Sequence, residues 1–137
     1  ALHFKLSQRK IEMGWASIIL PEAYGGLDFG FLGLGVVLEE TGRTLAASPL
    51  FATAVVGASA IMLGGSEEQK QSLLPAIAGG ELTLALALEE THHNRPTHIA
   101  TTATLQGDNV VINGSKCFVL DGHSADQLIV VARSNGD

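Results

Sequence analysis

The chain has 137 residues, of which 46% are hydrophobic and 16% are charged, and its formal net charge is −6. That much apolar side chain can fill a core, so the composition excludes a disordered chain. The acidic balance, with only 8 lysines and arginines, argues against a nucleic-acid partner or an anionic membrane surface.

The first half of the chain is predicted to be helical. Phe4, Ile11 and Trp15 fall roughly on one face of an opening helix, with polar residues on the other. A proline and two glycines make Leu20 to Asp28 a loop. Phe29 to Glu40 is apolar almost all round until the two glutamates, which is typical of a buried helix.

Two more helices have clear ends in the sequence. Ser48-Pro49 is an N-cap followed by a proline at the first helical position, and Gly64-Gly65 closes that helix. Ser66 to Gln69 is a predicted capping box at the start of the next helix. Pro75 is expected to break or restart this helix, and Gly79-Gly80 to end it.

Beyond Gly80 the hydrophobic period changes to two, which favours strands. The predicted strands are Leu82 to Leu88, Thr101 to Leu105, Val110 to Ile112, Cys117 to Leu120 and Gln127 to Ala132. The glycine turns Gly107-Asp108 and Asn113-Gly114 are typical of hairpins. Helices first and antiparallel strands afterwards predict an α+β chain with the two classes in separate layers or domains.

Several features predict a soluble cytoplasmic protein. Cys117 is the only cysteine, which excludes an intramolecular disulfide and fits a reducing compartment. The most hydrophobic stretch, Leu50 to Leu63, is interrupted by polar residues and is shorter than the ~20 residues of a membrane span. No signal peptide is visible. The absence of an initiator methionine at Ala1 and the turn-like segment Ser134 to Asp137 predict truncation at both ends.

Few residues suggest catalysis or metal binding. His92, His93 and His98 fall in a predicted polar loop without the ligand spacing of a zinc site. Glu39-Glu40 and Glu89-Glu90 are neighbours that diverge on a helix or strand, so solvated element ends are favoured over an acid–base pair. These residues by themselves establish no mechanism.

Two further features are better explained by structure than by chemistry. Gly30, Gly33 and Gly35 resemble a phosphate loop only loosely, and no strand precedes them, so close helix packing is favoured. Cys117 lies beside Phe118 in a predicted apolar strand, which favours an inert buried thiol over a reactive nucleophile.

Four blocks of sequence, taken in order, carry a family resemblance. They are GWASIILPEAYGG (Gly14 to Gly26), VLEETGRTLAASPL (Val37 to Leu50), GGSEEQKQSLLPAIAGGEL (Gly64 to Leu82) and INGSKCFVLDGHSADQLIVVARS (Ile112 to Ser134). The first matches the pattern G-W-x-x-x-x-x-P-E-x-Y-G-G, and the last is similar to I-N-G-x-K-x-W-I-T-N followed by an apolar strand. With these blocks and the helix-to-strand change in the expected order, the whole chain resembles the acyl-CoA dehydrogenase family.

The resemblance implies an α+β architecture in which an N-terminal α-helical bundle (residues 1–80) is followed by an incomplete antiparallel β-barrel domain (residues 81–137). The family's second helical domain is expected to lie outside this chain. It also implies a flavoprotein oxidoreductase of fatty acid and lipid metabolism, in which a glutamate removes the α-proton of an acyl-CoA thioester and the β-hydrogen leaves as hydride to FAD. An electron-transfer flavoprotein and a homo- or hetero-oligomeric assembly are the implied partners.

No catalytic residue is assigned, because the glutamate base of such enzymes lies in the C-terminal domain. This chain alone is therefore expected to be inactive. The uncovered apolar helix faces of such a fragment are also expected to make it self-associate.

The resemblance implies four cofactor-binding residues, Ala87, Leu88, Phe118 and Leu120. Family members usually read T-E-P-x-x-G-S-D where this chain has Leu88 to Arg95, so only backbone contacts from Ala87 and Leu88 are expected to persist. Phe118 stands where a tryptophan usually packs on the isoalloxazine ring. Leu120 replaces a threonine whose hydroxyl typically reaches flavin N5, and leucine has no donor.

Two alternatives stay open. The first is a related flavin oxidase or monooxygenase of the same fold. The second is a flavin-free subunit that serves as a structural or acyl-binding partner in a hetero-oligomeric acyl-CoA dehydrogenase, and the altered Leu88 to Arg95 segment motivates it. A flavin absorbance band in the purified full-length protein discriminates between a flavoenzyme and the flavin-free subunit.

Overall fold

The computed structural model describes residues 14–45 and 47–134, which form an α+β chain with helices first and two small sheets afterwards. The helices are α1 (Gly30–Arg43), α2, which is π-helical over Phe51–Ala58 and α-helical over Ser59–Gly64, and α3 (Glu67–Ala78). Short 3-10 turns at Trp15–Ser17 and Glu22–Tyr24 precede α1. The predicted opening helix lies outside the described residues except for Trp15.

The start of α3 follows from local sequence. The Gln69 amide donates to Ser66 Oγ at 3.2 Å, and the Ser66 amide donates to Gln69 Oε1 at 2.9 Å, so the predicted capping box is confirmed. The predicted break at Pro75 is wrong, because α3 continues through it to Ala78. A proline removes one helical hydrogen bond, and the complete burial of Leu74 and Ile77 beside it offsets that loss.

Helix α1 is confirmed as a helix, but its predicted burial is wrong. In this helix Leu34 is 1% exposed, whereas Phe31 and Leu32 are 63% and 87% exposed. A Cβ on Gly33 would lie 3.6 Å from Ile18, while a Cβ on Gly35 would meet nothing within 4 Å. Close packing therefore explains Gly33 alone, and the other described elements leave most of the apolar face of α1 uncovered.

The strands form two sheets within the described residues. Strand β1 (Leu84–Ala87) pairs in parallel with β4 (Gln127–Val130). Strand β2 (Thr102–Gln106) pairs antiparallel with β3 (Asn109–Asn113) and parallel with β5 (Arg133–Ser134). The predicted antiparallel arrangement is thus confirmed for β2 with β3, and wrong for β1 with β4 and for β2 with β5. Parallel strands need a connection of a dozen or more residues, and residues 88–126 provide it.

The predicted strand at Cys117 to Leu120 is wrong. Residues 114–119 have no regular structure, and a turn follows them. Phe118 and Asp121 have φ angles of 51° and 57°, which a strand does not allow. Gly114 is no hairpin turn, because β3 ends at Asn113 and no strand directly follows. A Cβ at Gly114 would clash with the side chain of Thr101. Close packing requires this glycine, whereas Gly107, with φ of 62°, does form the predicted turn between β2 and β3.

The core lies where the helices meet β1. Its fully buried side chains include Leu20, Leu74, Ile77 and Leu84. A Cβ on Gly57 of α2 would lie 2.7 Å from Leu84 Cβ, so glycine is what lets this helix lie so close to the strand. Within residues 14–45 and 47–134, no helix combines the length and apolar character that a bilayer crossing requires.

Candidate functional site

A pocket of about 440 Å³ opens at the carboxyl end of β1. Its lining comes from β1, β3, β4, the residue before β2 and the irregular segment 114–123, and includes Ala87, Thr101, Lys116, Phe118, His123 and Val130. The volume lies in the range of small-molecule sites, which are mostly apolar with a few placed polar groups. We call this cavity the β1 pocket.

The structure brings two of the four predicted cofactor-binding residues to the β1 pocket. Ala87 is the last residue of β1 and is buried, whereas Phe118, in the irregular segment 114–123, is 71% exposed. Leu88 follows β1 and contributes a backbone carbonyl that accepts from Lys116 Nζ at 3.0 Å. Leu120 is 54% exposed and is not among the residues that line the pocket.

The carboxylate of Glu90 accepts several hydrogen bonds beside the β1 pocket. Its Oε2 accepts the Ala100 amide at 2.6 Å, and its Oε1 accepts the Thr101 amide at 2.8 Å together with the Thr101 hydroxyl. Lys116 Nζ donates to the same Oε1 at 2.8 Å and also to the Leu88 carbonyl. The side chains of Lys116 and Glu90 are only 9% and 8% exposed. The prediction of a solvated strand end at Glu89-Glu90 is therefore wrong for Glu90.

The environment of Glu90 favours its ionised form. The hydrogen bond from the Lys116 ammonium, followed by those from Thr101 and the Ala100 amide, holds the pKa of Glu90 well below its ordinary range. Sequence reasoning missed this pair. A lysine beside an apolar run, as at Lys116, indicates that an acidic partner is needed when the lysine is buried, but it does not show which carboxylate supplies it.

Two backbone segments are joined at the same place. The Cys117 amide donates to the Glu89 carbonyl at 2.8 Å, and Cys117 Sγ lies 3.3 Å from the Thr91 carbonyl oxygen, to which the thiol donates. Cys117 is partly exposed and lies outside any strand. The predicted burial of this cysteine in an apolar strand is thus wrong, and its bonds tie segment 116–118 to the residues that follow β1.

The loop between β1 and β2 carries His92, His93 and His98. Residues 91–98 are all exposed, and the ring of His92 meets the ring of Phe118 edge-on, with centroids 5.7 Å apart and planes 69° apart. Among the described residues, no group of three histidine, cysteine or acidic side chains is close enough to hold a metal ion. The loop between β1 and β2 thus contacts a residue of the pocket lining, Phe118, through the ring of His92.

A second carboxylate, that of Asp126, lies at the amino-terminal end of β1. Asp126 Oδ2 accepts the Thr83 amide at 2.8 Å and the Thr83 hydroxyl at 2.7 Å. These bonds, the hydroxyl first, hold the pKa of Asp126 below its ordinary range. Asp126 therefore joins the starts of β1 and β4 much as Glu90 joins the segments after β1, but it does so without an ammonium partner and away from the pocket lining.

Comparison with known proteins identifies the chain's relatives. A sequence model of the family described as "Acyl-CoA dehydrogenase, N-terminal domain" matches residues 3–81. The cyclohex-1-ene-1-carbonyl-CoA dehydrogenase of Geobacter metallireducens is 41% identical over 125 residues, which cover 88% of this chain and 33% of that protein. The chain thus spans about a third of the length of this curated relative.

Solved structures agree with the sequence matches. An acyl-CoA dehydrogenase from Bacillus anthracis, complexed with FAD, superposes with a TM-score of 0.86 at 30% identity, covering 98% of this chain and 24% of that one. A chain of the ChsE4–ChsE5 complex from Mycobacterium tuberculosis superposes with a TM-score of 0.83 at 29% identity, covering 96% of this chain and 35% of that one.

Proposed function

We propose, because this chain belongs to the acyl-CoA dehydrogenase family, that it is part of a flavoprotein that uses FAD to α,β-dehydrogenate an acyl-CoA thioester. Residues 1–80 then form the N-terminal helical domain, and residues 81–137 begin a middle domain that further strands complete as a barrel. The match of the N-terminal-domain family model to residues 3–81 supports this division.

The observation that carries the proposal is that Ala87 and Phe118 both line the β1 pocket. These are two of the residues that the family resemblance assigns to the flavin. An exposed phenylalanine ring beside a mostly apolar pocket suits a planar heteroaromatic ring, which packs on aromatic faces. The residues present therefore fit a flavin in this respect.

When bound, FAD supplies the hydride acceptor. This chain would hold the ring between Phe118 and the backbone at Ala87 and Leu88, and would exclude water from that side. Leu120 offers no side-chain donor, so any hydrogen bond to flavin N5 comes from elsewhere. The proton-abstracting base is assigned to no residue of this chain.

The partners follow from the same proposal. An acyl-CoA is the substrate, and an electron-transfer flavoprotein is the electron acceptor. The likeness to a chain of the ChsE4–ChsE5 complex supports an oligomeric assembly, either of identical or of different subunits. We propose a cytoplasmic location, where lipid metabolism supplies such thioesters.

A flavin-free subunit of a hetero-oligomer is the second candidate. It is favoured by the position of Leu120 outside the pocket lining and by the full exposure of residues 91–98, where the family motif is altered. In that case the chain contributes structure or acyl binding, and a partner subunit contributes the flavin.

Spectroscopy on the full-length protein tests these readings. The main proposal predicts a flavin absorbance band that bleaches when an acyl-CoA is added without oxygen, with formation of the 2-enoyl-CoA. Absence of the band after incubation with FAD, in a folded protein, would favour the flavin-free subunit. A bleached band with rapid oxygen consumption instead of transfer to an electron-transfer flavoprotein would indicate an oxidase or monooxygenase.

A further inference from the structure

Three chain segments converge beside the β1 pocket, and Thr101, Lys116 and Cys117 from two of them line it. They are residues 88–91 after β1, residues 100–101 before β2, and residues 116–117 after β3. The carboxylate of Glu90 is bonded to the second segment at the amides of Ala100 and Thr101, and to the third at Lys116. One side chain thus fixes the spacing of all three segments.

Lys116 is both a partner of Glu90 and part of the pocket lining. Its ammonium group is 2.8 Å from Glu90 Oε1, and both side chains are almost completely shielded from water. In such surroundings charges are weakly screened, so the carboxylate cancels a positive charge that would otherwise act across the pocket. Loss of one partner leaves the other charge buried and uncompensated.

We propose that Glu90 is a positioning residue for the flavin site, which holds Lys116 in place and neutralises its charge at the pocket wall. This inference rests on the proposed function, because it needs a flavin in the β1 pocket. Reduced flavin carries more negative charge than oxidised flavin, so an uncompensated ammonium in the wall stabilises the reduced form. Glu90 therefore keeps the midpoint potential of the bound flavin from rising, because its carboxylate compensates the charge of Lys116.

The test uses full-length protein with bound FAD and measures the midpoint potential of its flavin. Glu90→Gln keeps the size of the side chain but leaves Lys116 uncompensated, so the potential is expected to become more positive. The double variant Glu90→Gln with Lys116→Met removes both charges, and its potential is expected to return towards that of the wild type. A merely structural role would leave the double variant at least as perturbed as the single one.

Asp126→Asn is the matched control. It weakens a carboxylate that accepts amide and hydroxyl hydrogen bonds at the other end of β1, so it perturbs structure without changing the charge of the pocket. Its flavin potential is expected to stay at the wild-type value. Lys116→Met is an independent variant that leaves the Glu90 carboxylate uncompensated, so its flavin potential is expected to become more negative. This measurement tests the inference if Glu90→Gln does not fold.

The outcomes separate the two proposals. Suppose that the wild type binds flavin but the midpoint potential of Glu90→Gln is no more positive than that of Asp126→Asn. That result overturns this inference and leaves the proposed function intact. A double variant that stays as shifted as Glu90→Gln also overturns it. Folded wild type that binds no flavin overturns the proposed function, and this inference with it.

Discussion

Thr53 and Leu84 are joined by two hydrogen bonds that cross from helix α2 to strand β1. The Thr53 hydroxyl accepts the Leu84 amide proton at 3.0 Å and donates its own proton to the Leu84 carbonyl at 3.2 Å. Both residues are buried, and the other edge of β1 pairs with β4. A single side chain therefore satisfies backbone groups that would otherwise be unpaired in the core, and it places β1 and the pocket at its end.

Thr53→Val is expected to destabilise the protein by about 1–3 kcal/mol, because it leaves a buried amide and a buried carbonyl without partners. The free energy of unfolding, measured by urea denaturation, checks this. Thr53→Ser keeps the hydroxyl and is expected to recover most of the loss. Equal destabilisation by valine and serine would mean that methyl packing, and not the pair of hydrogen bonds, holds the joint.

Gly57→Ala is expected to destabilise the protein by about 1–3 kcal/mol, because its Cβ would lie only 2.7 Å from Leu84 Cβ. The control is Gly35→Ala in α1, where a Cβ meets nothing within 4 Å. In a helix interior with open space, alanine stabilises by about 0.5–1 kcal/mol relative to glycine. Opposite signs for the two variants in thermal unfolding are the expected result, and a common sign would contradict it.

The contribution of Glu90 to stability is expected to depend on pH on the acid side. Its folded-state pKa is lowered, chiefly by the hydrogen bond from Lys116 and then by Thr101, from an ordinary value of 4.5. A carboxylate with a lowered folded-state pKa stabilises fully above its unfolded pKa and loses that contribution as the pH falls through the folded one. The stability difference between wild type and Glu90→Gln should therefore be constant above about pH 5 and shrink below about pH 4.5.

Urea denaturation of both proteins from pH 3 to pH 8 measures that difference. Parallel profiles over the whole range would show that the ion pair and the hydrogen bonds of Glu90 do not favour its ionised form.

Phe118→Ala is expected to weaken FAD binding about tenfold, or ~1.4 kcal/mol, because it removes the aromatic face proposed to pack on the flavin. Phe118→Trp keeps such a face and is expected to stay within about threefold of wild type. Phe31→Ala removes a similarly exposed ring on α1, which does not line the pocket, and serves as the control. Flavin fluorescence titration measures all three, and equal effects of the two alanine variants would contradict the assignment of Phe118.

Local signals in the sequence were reliable where only neighbours along the chain are involved. The capping box of Ser66 and Gln69 and the turn at Gly107 need only residues within a few positions, and the structure has both. The prediction of a buried α1 failed because an apolar pattern shows which residues avoid water but does not show what covers them. Other described residues bury Leu34, whereas Leu32 is left exposed.

The candidate site was predictable only in part. The resemblance singled out Ala87 and Phe118, and the structure brings them to one pocket. The resemblance did not single out Glu90, because the residues next to Glu90 in the sequence do not show which basic residue pairs with its carboxylate. That partner, Lys116, is 26 residues away, and the pair exists only because the chain returns after β3.

By itself the sequence determined the family, the α+β order of elements and the ends of several helices and strands, because periodicity, caps and glycine turns act over a few residues. Tertiary structure decided the parallel pairing of β1 with β4, the irregular course of residues 114–119 and the burial of the Glu90–Lys116 pair. These depend on which distant segments share space. Shared space sets the dielectric environment and the available hydrogen-bond partners, so the electrostatics of the pocket appear only when the chain is folded.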